Sequence, residues 1–176
     1  EYLQAELTQT LELGKRYRIS FYVSLAEQSD FAIKEFGVVF SKDKLQSARR
    51  KELSKAVLYK NKENKYRIFQ ISHTDFYADT QGWVLVQMEF VGKGWESFMT
   101  VGNFKNNART RFLKTKRYAK KGAYYYIDML KVQSVEEMDK DYVSEENNLS
   151  DKIEGIALDQ IHIFKNVLFE FDRSQL

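Results

Sequence analysis

Apolar and polar residues alternate over much of the chain with the two-residue period of a β-strand. The pattern is cleanest at 16–25, Arg-Tyr-Arg-Ile-Ser-Phe-Tyr-Val-Ser-Leu. There Tyr17, Ile19, Phe21, Val23 and Leu25 point to one side, against Arg16, Arg18, Ser20, Tyr22 and Ser24 on the other. A strand-like run at Tyr2, Leu3, Ala5 and Leu7 precedes it, and Leu11-Glu12-Leu13-Gly14 makes a turn in which Gly14 supplies the permissive backbone. Further strands are predicted at 36–40, 66–71, 82–90, 96–102 and 123–132. Short strands parted by Gly- and Asn-rich breaks, without βαβ alternation, predict an all-β fold: an antiparallel β-sandwich or jelly roll. Its core is expected to hold Tyr17, Ile19, Phe21, Val23, Trp83, Tyr126 and Leu130.

Two segments depart from this pattern. Residues 42–65 are rich in Lys, Arg, Glu and Asn, with a weak helical spacing of Leu45, Leu53 and Val57, and are expected to form a solvated insertion, part of it helical. Residues 134–155 are dominated by Glu136, Glu137, Asp139, Asp141, Glu145, Glu146, Asp151 and Glu154. That composition predicts an acidic linker, and hence a domain boundary. Beyond it, Val167, Phe169 and Phe171 alternate with Leu168, Glu170 and Asp172 as in a half-buried strand. Asp172 or Ser174 can cap a helix starting near Gln175. Taken by themselves these residues suit either the opening of a new domain or the last strand of the preceding one.

Composition narrows the function classes. At 176 residues, with 43% hydrophobic and 15% aromatic, the chain has room for one or two domains and a real core. Its net charge of +3 is too small to argue for nucleic acid, and no fold or stacking motif for it is present. No apolar run approaches the roughly 18 residues of a membrane span. The start at Glu1, without Met or a signal-like apolar segment, is what a mature or trimmed chain would show. The sequence has no Cys, so neither disulfides nor thiol catalysis arise within it. It also has no Pro, for which there is no physical account. His73 and His162 have no paired-His spacing, and no serine sits in a nucleophile elbow. No catalytic residue and no enzymatic activity are expected.

Longer motifs carry a family likeness. Gly82-Trp83-Val84-Leu85-Val86-Gln87-Met88-Glu89-Phe90 is followed by Gly92-Lys93-Gly94-Trp95-Glu96-Ser97-Phe98-Met99-Thr100-Val101-Gly102-Asn103-Phe104, and later by Ala123-Tyr124-Tyr125-Tyr126-Ile127-Asp128. With the opening Glu1-Tyr2-Leu3-Gln4 and the stretch 13–25, these resemble the galactose-binding-like, carbohydrate-binding-module-like jelly rolls that precede an OmpA-like domain in Gram-negative envelope proteins. Lys165-Asn-Val-Leu-Phe-Glu-Phe-Asp-Arg-Ser-Gln-Leu176 resembles the first strand and helix start of the OmpA-like, peptidoglycan-binding domain, an α/β fold. There are departures. Met129 stands where the closing motif has a second Asp, Trp95 replaces a Gly of the Gly-Gly-Glu turn, and Phe69 stands where a Pro is usual. The charged insertion at 42–65 is foreign to the motif. The resemblance implies a jelly-roll module over 1–133, whose first strands would precede Glu1, a linker over 134–155, and the start of an OmpA-like domain over 156–176.

Within that frame a few residues are candidates for chemistry. On a regular strand Asp128 would share the core-facing side with Tyr126, Leu130 and Val132, where a carboxylate must be paired, hydrogen-bonded or metal-bound. The resemblance allows a structural calcium at Asp128, with co-ligands from residues before Glu1; the alternative is an Asp satisfied by backbone groups. No other cofactor is expected. Trp95, in a turn, is the better candidate for stacking on a sugar, and Trp83 is expected in the core. Residues 105–121 contain Lys105, Arg109, Arg111, Lys114, Lys116, Arg117, Lys120 and Lys121 and no acid, interleaved with Phe112, Leu113 and Tyr118. Of these, Arg109, Arg111, Lys114, Lys116 and Arg117 are candidate contacts to an anionic glycan or an acidic partner, the plain alternative being a solvated loop. The resemblance implies a non-enzymatic envelope protein at the periplasmic side of the outer membrane, with a lipid anchor as an option. It would tie an outer-membrane protein complex to peptidoglycan through residues beyond Leu176. A carbohydrate-binding module of a secreted or surface glycan-degrading system is the second expectation.

Overall fold

The computed structural model describes residues 2–45, 53–60 and 62–136, all within the first of two units into which the chain divides, Glu1–Asp139. Of the linker expected over 134–155, Ser134 ends β9 and Val135 is buried, and the rest beyond Glu136, like the OmpA-like opening, lies outside the described residues. The elements run β1 (Tyr2–Glu6), β2 (Arg16–Leu25), β3 (Phe31–Ile33), β4 (Glu35–Ser41), α1 (Lys55–Leu58), β5 (Tyr66–Ser72), β6 (Val84–Val91), β7 (Phe98–Gly102), β8 (Phe112–Lys114) and β9 (Tyr125–Ser134). All pairings are antiparallel, in a four-stranded sheet β1-β7-β4-β5, a three-stranded sheet β6-β2-β9 and a small β3-β8 pair. The all-β expectation holds, and β2 has the bounds that its alternation predicts. The three-residue strands β3 and β8 escaped the sequence pattern because each is too short to show a period.

The two larger sheets share one apolar core, as a β-sandwich does. Tyr17, Ile19, Phe21 and Val23 of β2, with Val86 and Phe90 of β6, pack with Phe36, Val38 and Phe40 of β4, Ile71 of β5, and Met99 and Val101 of β7. Aromatic rings knit the layers together. Phe21 meets Phe36 edge-on with centroids 5.7 Å apart, and Phe40 lies 4.6 Å from Phe90.

The charged insertion is not simply solvated. Val39, on the far face of β4, is covered by Leu53, Leu58 and Phe104, with Tyr2, Leu45, Tyr66 and Ile68 around them. A second small core therefore lies outside the four-stranded sheet. The insertion is tied down by polar contacts as well. The Leu53 amide donates to the Tyr2 hydroxyl at 2.8 Å, and the Leu45 amide donates to Gln4 Oε1 at 2.9 Å. Gly37 makes this packing possible, because a Cβ there would meet Phe104 Cδ2 at 2.4 Å and the Gly102 carbonyl at 2.9 Å.

Strand β9 corrects the expected core. Its register against β2 shifts between Ser20↔Lys131 and Tyr22↔Asp128, so Met129 and Leu130 together oppose Phe21. This is a β-bulge, with Met129 in the left-handed region at φ 51°. The extra residue changes the phase of the strand. Tyr125 and Ile127 face the core before the bulge, and Leu130 and Val132 face it after. Tyr126 and Asp128 consequently point outward and are exposed, Tyr126 at 53%. Trp83, expected in the core, precedes β6 and is 50% exposed.

Two stability outcomes follow. Phe21 is fully buried, so Phe21→Ala should cost about 3–5 kcal/mol in urea unfolding; a loss below about 1 kcal/mol would contradict its place in the core. Met129 is exposed and has little packing to lose. Met129→Asn should recover part of the roughly 1–2 kcal/mol that a left-handed L-residue costs. An unchanged or lower midpoint would show that the bulge is not strained.

Candidate functional site

The basic segment is held by two acids that the sequence does not place near it, Asp30 and Glu35, at either end of β3. Pairing of Phe31–Ile33 with Phe112–Lys114 carries the segment past both of them. Phe31 and Phe112 stack edge-on across the pair, 5.2 Å between centroids. Glu35 forms ion pairs with Lys105 and Arg111 and accepts a 3.3 Å hydrogen bond from Ser72. Asp30 Oδ2 accepts the backbone N–H groups of Lys120 at 2.7 Å and Lys121 at 2.6 Å, and Lys116 Nζ stands 3.6 Å from Oδ1. These donors, the Lys121 amide foremost, hold the Asp30 carboxyl below its ordinary pKa against the opposing effect of burial. Lys116 also donates to the Glu27 carbonyl at 2.8 Å. The turn before β8 is self-capped, with the Arg109 amide donating to Asn106 Oδ1 at 3.0 Å and Asn103 Nδ2 donating to the Thr110 hydroxyl at 2.8 Å.

The expected contact residues thus fall into two groups. Arg111 and Lys116 serve internal anchoring through Glu35 and Asp30. Arg109, Lys114 and Arg117 carry no ion pair among the described residues, and Arg117 lies 5.6 Å from the centroid of the Tyr118 ring. Phe112, Leu113 and Tyr118 are exposed beside them, Tyr118 at 79%. The result is an arm around β8 that exposes aromatic, aliphatic and uncommitted cationic side chains.

The other candidates are placed differently from expectation. Trp95 is half-buried and makes no ring contact among the described residues. Its neighbour Glu96, which sequence reasoning passed over, organises the turn. Glu96 is fully buried; it accepts the Lys93 amide at 3.0 and 2.9 Å, the Trp95 amide at 3.4 Å, and Arg67 Nη1 at 3.2 Å. The family-like Gly-Trp-Glu turn was the available signal for it. Asp128, expected to face the core, stands on the solvent side and uses Oδ1 to accept the Met129 amide at 2.7 Å, bracing the bulge. Among the described residues no three His, Asp or Glu side chains converge as a metal site would need.

The buried Tyr77 and the half-buried Tyr125 meet at the sheet ends. The Tyr125 hydroxyl donates to the Tyr77 carbonyl at 2.8 Å and accepts the Ile33 amide at 2.8 Å, which ties β9 to the end of β3. Burial pushes the Tyr77 hydroxyl up to about 12 and also raises that of Tyr125, so the Tyr125 hydroxyl stays a neutral hydrogen-bonding group. Next to β9, an open cavity of about 400 Å³ is lined by Ala26, Glu27, Gln28, Lys121, Tyr124 and Tyr126.

No family model matches the chain, and none of the curated proteins or solved structures matches it either.

The Asp30 anchor has a definite pH signature. A carboxylate whose folded pKa is depressed stabilises at pH values above its unfolded pKa, and that contribution is lost as pH falls through the folded one. Hydrogen-exchange protection of the Lys120 and Lys121 amides should therefore fall in strong acid. Asp30→Asn should lower it already at neutral pH and remove the acid step. Equal protection in both proteins at neutral pH would show that Asp30 does not hold the segment.

Proposed function

We propose that this chain is a non-enzymatic envelope protein on the periplasmic side of the outer membrane, holding an outer-membrane complex to peptidoglycan. The sandwich, as a galactose-binding-like jelly roll, docks the complex. An OmpA-like domain opening within 156–176 supplies the wall contact through residues beyond Leu176. The motif likeness over 82–104, 123–128 and 165–176 supports this order of modules.

The observation that carries the docking role is the β8 arm. Its exposed Phe112, Leu113 and Tyr118 lie beside Arg109, Lys114 and Arg117. Aromatic residues and Arg are the types enriched at protein interfaces. The uncommitted cations select an acidic partner surface, where rim charges chiefly set association rate and salt sensitivity. Two internal anchors keep the arm in one shape, so little ordering entropy is lost on docking.

The test reverses only the cations without internal partners. Arg109→Glu, Lys114→Glu and Arg117→Glu together should reduce recovery of the full-length protein with its outer-membrane partners and flatten the salt dependence. Binding to purified peptidoglycan should stay the same. Recovery with the same partners at the same yield and salt dependence would overturn the docking role of the arm.

A further inference from the structure

We infer that the free edge of β8 takes an extended acidic segment of a partner protein as an added antiparallel strand. This mode of docking rests on the role proposed above for the arm, and gives the partner its form. The ladder with β3 fixes which main-chain groups are engaged. The Thr115 amide donates to the Asp30 carbonyl at 3.0 Å, and the Lys34 amide donates to the Arg111 carbonyl at 3.2 Å. These two bonds bracket the register Phe31↔Lys114, Ala32↔Leu113, Ile33↔Phe112. Antiparallel pairs alternate between those that exchange main-chain bonds and those that do not. Arg111, Leu113 and Thr115 therefore turn their main-chain groups to β3, and Phe112 and Lys114 turn theirs away. Among the described residues no strand takes this second edge, and all three residues of β8 are exposed.

An exposed row of N–H and C=O groups is a template for one more strand. The side chains along the row decide what can use it. Phe112, 47% exposed, and Leu113, 44% exposed, stand on opposite faces of β8 and give an incoming strand an apolar contact on each. The Phe112 ring is already set edge-on against Phe31. Lys114 lies in the row itself, with Arg109 before it and Arg117 after it, and the run 105–121 has no acid. Glu35 and Asp30, which reach the segment through β3, are engaged by Lys105, Arg111, Lys116 and the Lys120 and Lys121 amides. Two arms brought edge to edge would set cation against cation, so a second copy of the chain is disfavoured. A strand with a carboxylate opposite Lys114 and an apolar residue opposite Leu113 meets complementary groups at both positions.

The probe is the peptide acetyl-Glu-Thr-Glu-Val-Val-Thr-Glu-amide, whose central Glu, Val and Val fall opposite Lys114, Leu113 and Phe112. It is titrated into the isotope-labelled full chain, and amide exchange is read by NMR. With the probe at about nine times its Kd, exchange of the Phe112 and Lys114 amides should slow by about tenfold. The Leu113 amide, already engaged by β3, should change little. Methylating the main-chain nitrogens of the third and fifth probe residues removes the donors of the new ladder at unchanged charge. That should weaken binding by about tenfold or more. Lys114→Pro deletes an N–H that the β3 pairing does not use, and should weaken binding more than Lys114→Gln, which loses only the charge. Unfolding midpoints check that both variants keep the fold. No binding of the probe at millimolar concentration overturns the inference. So does equal binding of the methylated probe with the Phe112 and Lys114 amides left unprotected, which would mean that the cations meet an acidic surface without strand pairing. In either case recovery of the charge-reversed protein with its partners still decides the docking role by itself.

Discussion

Every residue of β4 from Phe36 to Ser41 is buried, so this strand has to be covered on both faces. One face receives the β6-β2-β9 sheet, with Phe36 and Phe40 set among the rings of Phe21, Tyr77, Tyr125, Phe69 and Phe90. The other face, at Val39, takes Leu53 and Leu58 from the segment between β4 and β5. A strand in this position has no alternation to show, and Phe-Gly-Val-Val-Phe is an unbroken apolar run. The same constraint explains why the charged insertion turns Leu53 and Leu58 inward to close the second core, while Val57 and Tyr59 stay exposed. It also explains Gly37, where a side chain would displace Phe104.

Much of the sandwich was legible because half-buried antiparallel strands write their burial into a period of two. The bounds of β2 came directly from that rule. Where the rule failed, one residue was responsible. The bulge at Met129 inserts a half-period, so Tyr126 and Asp128 leave the core side that a regular strand would give them. A left-handed conformation favours Asp, Asn or Gly, and a second Asp is what the family-like motif has where this chain has Met129. The departure in the motif was therefore a local clue to the irregularity. Trp83 failed differently, since it stands at the mouth of β6 rather than within it, and alternation says nothing about a residue beyond the strand end.

The electrostatics were the least legible part. A run of seventeen positions without an acid, 105–121, reads locally as a strongly positive loop. Its actual field depends on Asp30 and Glu35, which are some seventy to ninety residues earlier in sequence and arrive only through the β3-β8 pairing. Pairing of such short strands leaves no periodic trace. Two of the five candidate contacts, Arg111 and Lys116, are thereby turned into internal anchoring, and Arg109, Lys114 and Arg117 are left without an ion pair among the described residues.

The arm and the start of β9 share that anchor. Asp30 binds the Lys120 and Lys121 amides, and Lys121 lines the cavity beside Tyr124. Ser29 reinforces the same corner: its hydroxyl accepts the Tyr124 amide at 3.0 Å and donates to the Tyr124 carbonyl at 3.0 Å. Asp30 and Ser29 are both buried while most of the side chains around them are exposed. Their position fits a role in holding other residues still rather than in touching a ligand. A segment held by buried partners keeps its exposed side chains in one arrangement, so docking on it would lose little ordering entropy. The course of the 105–121 segment and the start of β9 are thus set together by one buried carboxylate and one hydroxyl next to β3.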